Sequence, residues 1–234
     1  MPLIGSIIFN AFFYLSLIPI TAIILSLYFF ISTKNLQRIA AIWIKVVLNT
    51  LKFFCGIHWK IEGVENIPNT PCIVVSNHQG QWESFFLQTL FFPSTSIIKK
   101  ELLYIPLFGW ALRCMKPITL NRLNKVGSLK KVIKKGVIKL KNGFTIILFP
   151  EGTRISPEKG IQPFAGSCGL LSIKSGLPIL PICHNSGKYW KNKKFIKSPG
   201  KVVLRIGKPI VGNDPKVVTN DAYNWVKNNY KEIN

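Results

Sequence analysis

The sequence predicts an α/β protein, a mixed, largely parallel sheet covered by helices, behind an N-terminal helical membrane-anchoring segment. Three observations predict it. No Asp, Glu, Lys or Arg precedes Lys34, so residues 3–31 form an apolar run longer than the ~20 residues that span a bilayer core. From residue 56 onward, short apolar runs alternate with stretches of helical period, the pattern of strands layered against helices. The length, 234 residues, suits one folded domain with an appendage. The division expected is 1–55 for membrane-binding helices and 56–234 for the α/β domain.

The N-terminal run has no basic region ahead of it and no small-residue cleavage site after it, so retention is expected rather than removal as a signal peptide. Pro19 lies in its middle, where it would kink a spanning helix or mark the corner of a re-entrant hairpin. Behind it come Lys34, Arg38, Lys45 and Lys52, interleaved with Ile39, Ile42, Trp43, Val46, Val47, Thr50 and Phe54 at steps of three and four. That reads as a basic amphipathic helix lying at an interface or, alternatively, as an ordinary helix packing on the α/β domain. The positive flank places the rest of the chain on the cytoplasmic side. A formal charge of +22 beside 48% hydrophobic residues suits an anionic lipid surface. Nucleic acid is excluded as the partner, because it would not account for the uncharged run. The five cysteines include no C-x-x-C pair and read as small core side chains in a reducing compartment.

In the α/β part, 57–61, 72–75, 97–98, 144–149, 179–182 and 202–206 read as strands. Residues 85–92 and 170–175 read as helices. Val126, Leu129, Ile133, Val137 and Leu140 mark the buried face of another, lysine-rich outside. The tail 214–234 reads as a short polar helix with no evident chemistry.

Two blocks carry chemistry. In VVSNHQGQWESF, His78 directly follows a buried strand, and Glu83 stands five residues on. On one continuous helix that step would turn the two side chains ~140° apart. With His78 in the turn and Glu83 in the first helical turn, the carboxylate can accept from one imidazole nitrogen, fix the tautomer and raise the basicity of the other. In IILFPEGTR, an apolar strand ends at Phe149 and Pro150 stops its ladder. Glu151, Gly152, Thr153 and Arg154 then project at the carboxyl end of the sheet, where α/β proteins bind ligands. Arg154 suits a phosphate, or alternatively pairs with Glu151 to shape the turn.

In order, these blocks resemble the 1-acyl-sn-glycerol-3-phosphate acyltransferases. GVENIPNTPCIVVSNHQGQWES is similar to that family's first block and KKELLYIPLFGWAL to its connecting region. KPITLNR is similar to the second block, FPEGTR to the third and LPILPI to the fourth, the resemblance covering roughly 56–212. It implies the glycerolipid acyltransferase fold, with His78 as general base on the sn-2 hydroxyl of lysophosphatidic acid and Glu83 as its orienting partner. It also implies an acceptor site of Arg122, Glu151, Gly152, Thr153 and Arg154, the arginines holding the phosphate. Pro181 would be structural or line the acyl site. The donor implied is acyl-CoA or acyl carrier protein, with no cofactor and no metal, and the location a bacterial inner membrane. Glu83 departs from the family's usual Asp, and Asn121 precedes Arg122 where Asp is common.

No Ser or Cys lies in a nucleophile elbow, so direct transfer is expected, with backbone N–H groups near the His78 turn as default oxyanion donors. His58 and His184 read as structural or surface residues, His184 in a turn. The lysines at 188, 191, 193, 194, 197 and 201, among Tyr189, Trp190 and Phe195, read as a membrane-surface patch or a solvated loop. Transfer to glycerol 3-phosphate or another lysolipid, or lipid binding without turnover, are the alternative functions.

Overall fold

The computed structural model describes residues 2–120 and 125–234. Arg122 lies outside the described residues. The N-terminal run forms α1 (Pro2–Leu27), continuous through Pro19. After a short turn comes α2 (Thr33–Cys55), capped by the Ser32 hydroxyl, which accepts from Asn35 N, and ended by Gly56 at φ 65°. The two helices are antiparallel. Ser16 Oγ receives the Trp43 indole N–H at 3.0 Å, Ile24 shares a cluster with Leu36, and Gly5 abuts the Phe54 carbonyl so closely that no Cβ would fit.

Phe9, Leu17, Ile20 and Ile24 of α1 are buried against the rest of the protein, while Leu3, Ile4, Ile7, Tyr14, Leu15 and Ile18 are exposed. α1 is therefore long and apolar enough to cross a membrane, yet about a third of its most apolar window is packed against protein.

Among the described residues seven strands form one sheet in the order β1-β7-β6-β2-β5-β3-β4. They are β1 (Ile57–Glu62), β2 (Ile73–Ser76), β3 (Ser94–Lys99), β4 (Ile118–Leu120), β5 (Thr145–Leu148), β6 (Ile179–His184) and β7 (Gly200–Ile206). All neighbours are parallel except β6 and β7. Apart from Ser76, Thr145 and His184 at their ends, the central strands are apolar because helices cover both faces. Val74, Ile147 and Leu180 face Leu48 and Leu51 of α2 and Trp82 and Phe86 of α3 (Trp82–Leu90). Their neighbours Ile73, Val75, Ile146, Leu148 and Ile179 face the other side, against α5 (Lys125–Lys141), α6 (Ser167–Ser175) and α7 (Pro215–Ile233). The period of two along each strand thus builds two cores at once.

Several expectations shift. The connecting region holds a 3-10 turn over Lys100–Tyr104 and then α4 (Phe108–Cys114), a helix too short for its period to show in sequence. In α5 the buried residues among those described are Ser128, Val132, Gly136 and Leu140, with Ile133 and Val137 partly buried against the same core, while Leu129 is exposed; the Val126 side chain lies outside the described residues. The face centres on Gly136, which lets the helix come close to Leu171 of α6, where a Cβ would meet the Leu171 side chain at 2.7 Å.

The polar tail is a 19-residue helix, capped by Asp214 with Pro215 in its first turn. It buries Val218, Ala222, Val226 and Tyr230 at a step of four. His184 is the fully buried last residue of β6, not a turn residue. Lys197 is 2% exposed and belongs to no surface patch. All five cysteines are buried free thiols.

Candidate active site

β2, β5 and β6 run parallel, so their carboxyl ends deliver three polar segments to one edge of the sheet. After β2, Asn77 is fully buried and ties that end to β6: its Nδ2 donates to the His184 carbonyl at 2.9 Å and its Oδ1 accepts from His184 N at 3.1 Å. The chain then turns and presents His78, whose ring stacks on Phe149 at 4.1 Å between centroids. The ring keeps 16% of its side-chain surface exposed.

Glu83 lies in the first turn of α3, fully buried, with Oε1 2.8 Å from His78 Nδ1. Oε1 also accepts from Gln79 N at 2.8 Å and Gly80 N at 2.7 Å. The extra methylene of Glu therefore reaches the ring and the loop backbone together. Gly80 is required here, because a Cβ would meet the Trp190 carbonyl at 2.7 Å.

Burial acts to raise the Glu83 pKa. The adjacent His184 and His78 imidazoles and the Gly80 N–H outweigh it and hold the carboxyl well below the ordinary range. An ionised Glu83 makes Nδ1 the protonated nitrogen of His78 and leaves Nε2 as the basic one.

The segment after β5 clasps the same residue. Glu151 Oε2 accepts from His78 N at 2.8 Å and its Oε1 from Gln162 N at 3.0 Å, while Ile155 N donates to the His78 carbonyl at 2.7 Å. Both Glu151 oxygens thus bind backbone N–H groups, and no ion pair to Arg154 forms among the described residues. Burial, with Glu83 nearby, pushes the Glu151 carboxyl up to about 7, against the two N–H donors. Gly152, at φ 71°, and Thr153 are exposed at the turn.

Arg154 NH1 donates to Asn192 Oδ1 at 3.2 Å, and its Nε is buried with no partner among the described residues. Burial pulls its pKa down and Glu83 partly offsets this. Pro181 sits in β6 opposite Val75, its carbonyl accepting from Gly207 N at 2.9 Å.

The backbone N–H groups of residues 78, 79 and 80, the default oxyanion donors from sequence, are all bonded to carboxylates. Unforeseen partners complete the site. Ser186 donates to Glu83 Oε2 at 2.9 Å, and Gln79 accepts from Gly187 N at 3.1 Å while donating to Tyr230 Oη of α7 at 2.6 Å. A signal for Ser186 and Gly187 as a site-forming turn was present, HNSG following the apolar ILPIC as NHQG follows IVVS, though nothing in it named their partners and none marked Tyr230.

Residues 58–185 match the family model described as acyltransferase. The chain is 38% identical to a 1-acyl-sn-glycerol-3-phosphate acyltransferase of Pseudomonas aeruginosa over 82% of its own length and 76% of that protein. It is 32% identical to a chloroplastic 1-acyl-sn-glycerol-3-phosphate acyltransferase of Brassica napus, over 71% of this chain and about half, 49%, of the longer relative. Among solved structures, the 1-acyl-sn-glycerophosphate (LPA) acyltransferase PlsC of Thermotoga maritima superposes with a TM-score of 0.81 at 25% identity, over 98% of this chain and 95% of that one.

Proposed function

This chain belongs to the acyltransferase family, and on that premise we propose that it makes phosphatidic acid by acylating the sn-2 hydroxyl of 1-acyl-glycerol 3-phosphate. The donor is an acyl thioester, acyl-CoA or acyl carrier protein, and it enters as substrate; no cofactor is needed. The observation that carries the reading is the 2.8 Å contact of His78 Nδ1 with the buried, ionised Glu83, which leaves Nε2 as a base at the carboxyl edge of the sheet.

In this mechanism His78 Nε2 removes the proton from the sn-2 hydroxyl as that oxygen attacks the thioester carbonyl. Glu83 stabilises the imidazolium that forms. Collapse of the tetrahedral intermediate expels the thiolate, and the proton leaves with it. Arg154, its Nε unpartnered within the described residues, binds the acceptor phosphate together with Arg122. The oxyanion draws its donors from outside the backbone of residues 78–80, which is already committed.

The exposed apolar side of α1, with Phe29 and Phe30 exposed at the turn after it, anchors the protein in the cytoplasmic face of a bacterial inner membrane, where the lipid acceptor resides. Lysophosphatidic acid, glycerol 3-phosphate and other lysolipids, each offered with acyl-CoA and with acyl carrier protein, test the reading. Phosphatidic acid should form from lysophosphatidic acid at the highest kcat/KM. The variant His78→Ala should lose roughly 100- to 10,000-fold in rate while staying membrane-bound, on the scale of general-base catalysis. Near-wild-type turnover by that variant would sink the mechanism.

A further inference from the structure

Behind the His78–Glu83 pair, a buried chain of polar groups runs back to the loop that carries His78. The Ser186 hydroxyl lies 2.9 Å from Glu83 Oε2 and 3.1 Å from His184 Nδ1. Ser186 N donates to His184 Nδ1 at 3.3 Å, and His184 Nε2 lies 2.9 Å from the Asn77 carbonyl. Asn77, Glu83, His184 and Ser186 are all fully buried. Since a carbonyl only accepts, His184 Nε2 carries the ring proton and Nδ1 is an acceptor. Ser186 has one hydroxyl proton to give. Turned toward His184, it would leave an oxygen of a buried anion bare while Nδ1 already receives the Ser186 N–H. Turned toward Glu83, it satisfies every member. Burial also pushes the His184 pKa down, against the pull of Glu83, in keeping with a neutral ring.

We infer that Ser186 and His184 are positioning residues for the proposed acyl transfer: Ser186 fixes the Glu83 carboxylate that orients His78, and His184 fixes Asn77, the residue before it. The inference rests on the acyl-transfer reading of the site. Neither residue touches substrate. Three of the donors to Glu83, the His78 ring and the N–H groups of Gln79 and Gly80, fall on Oε1, so among the described residues Ser186 alone holds Oε2 and fixes the rotation of the carboxylate. His184 meanwhile locks the end of β2 to the end of β6 by three hydrogen bonds, two through Asn77's side chain and one through its carbonyl. The loop bearing His78 therefore starts from a fixed point.

The test measures kcat, both KM values and the pH profile of the full-length protein in phospholipid vesicles, for wild type, Ser186→Ala, Ser186→Thr and His184→Phe. The titratable and charged groups facing Glu83 are His78 from the β2–α3 loop, His184 from β6 and, at longer range, Glu151 and Arg154 after β5. Ser186→Ala should lower kcat roughly 10- to 100-fold, the scale of losing a hydrogen bond to a buried charged group, with KM for donor and acceptor within about twofold. Its acid limb should move to higher pH, because the carboxylate loses a donor that disperses its charge and so favours the imidazolium. Ser186→Thr keeps the hydroxyl and should recover most of the rate. His184→Phe should resemble Ser186→Ala in kcat. If Ser186→Ala does not fold, Ser186→Cys takes its place: a weak donor of similar size, it should fall below Ser186→Thr in kcat. Wild-type kcat and an unshifted acid limb in Ser186→Ala, or in Ser186→Cys where that stands in, would overturn the positioning role while the proposed reaction stood. A wild-type protein that acylates no acceptor would overturn the reaction, and this inference with it.

Discussion

The His78 backbone N–H donates to Glu151 Oε2 at 2.8 Å, so the carboxylate of the FPEGTR turn braces the residue whose ring the other carboxylate orients. Its second oxygen is held by Gln162 N, which leaves it facing protein rather than an acceptor. Glu151→Gln keeps one acceptor and cannot ionise. It should lower kcat and leave KM for the phosphorylated acceptor nearly unchanged; a large rise in that KM would restore Glu151 as a substrate ligand.

The same residue predicts a pH dependence of stability. Its folded pKa is raised to about 7 from the ordinary 4.5. Between those values the folded state holds the proton and the unfolded chain does not, so stability falls as pH rises through that window and levels off above it. At about 1.4 kcal/mol per pKa unit the full effect is on the order of 3 kcal/mol. Relative to wild type, Glu151→Gln should therefore gain Tm between pH 5 and pH 8. An equal Tm difference at both values would refute the raised pKa.

Glu83→Asp removes the methylene that carries one oxygen to the ring and to two backbone N–H groups at 2.7 to 2.8 Å. Although Asp resembles the usual family residue, in this loop it should cost roughly 10-fold or more in kcat, because one of the four donors must go unmet around a buried anion. Full activity of the aspartate variant would mean that α3 shifts freely toward His78.

Arg154 carries a buried Nε with no partner among the described residues, while one terminal nitrogen is held by Asn192. A guanidinium fixed at one end and unmet at the other fits a phosphate oxygen. Arg154→Ala should raise KM for the phosphorylated acceptor about 10-fold or more with little change for the thioester. Equal losses for both substrates would make it a structural residue.

Sequence patterning revealed the two cores well, because strands covered on both faces must be apolar throughout, as Ile73–Val75 and Ile146–Leu148 are. It revealed the His78–Glu83 contact through the five-residue step, which only a turn followed by a helix can close. It missed what depends on groups far apart in the chain. Ser186 lies 103 residues from Glu83, and Tyr230 lies 151 from Gln79, so no local spacing links them. It also set Lys197 at the surface and placed His184, read as structural or surface, in a turn. Lys197 and His184 are polar, but each is buried because a specific partner meets its donors. The α5 face was placed correctly at Ile133, Val137 and Leu140 but its centre at Gly136 was missed, because a glycine carries no hydrophobic signal although close packing on α6 depends on it.

Lys197 fastens the N-terminal helix to the segment that bears Trp190 and Asn192. Its ammonium donates to Asn10 Oδ1 of α1 and to the Phe195 carbonyl, its backbone N–H donates to Ser6 Oγ, and Phe9, Trp190 and Phe195 surround it within 5.5 Å of their centroids. Phe9 in turn packs edge-on against Trp190 at 5.2 Å. Removing the charge breaks the ammonium's bond to Asn10 while the backbone tie to Ser6 and the apolar contacts remain. Lys197→Met should therefore lower Tm and, through Asn192, raise KM for the phosphorylated acceptor. Residues joined by a buried hydrogen bond couple by about 0.5 to 3 kcal/mol, so Lys197→Met and Asn10→Ala should not add in stability. Burial also pushes the Lys197 pKa down to about 8, below the ordinary 10.5. Between these values the unfolded chain holds the extra proton, so wild type should gain stability over Lys197→Met as pH rises from 8 toward 10.5. Additive losses, with a Tm difference independent of pH, would show that the Lys197 ammonium adds no tie to α1.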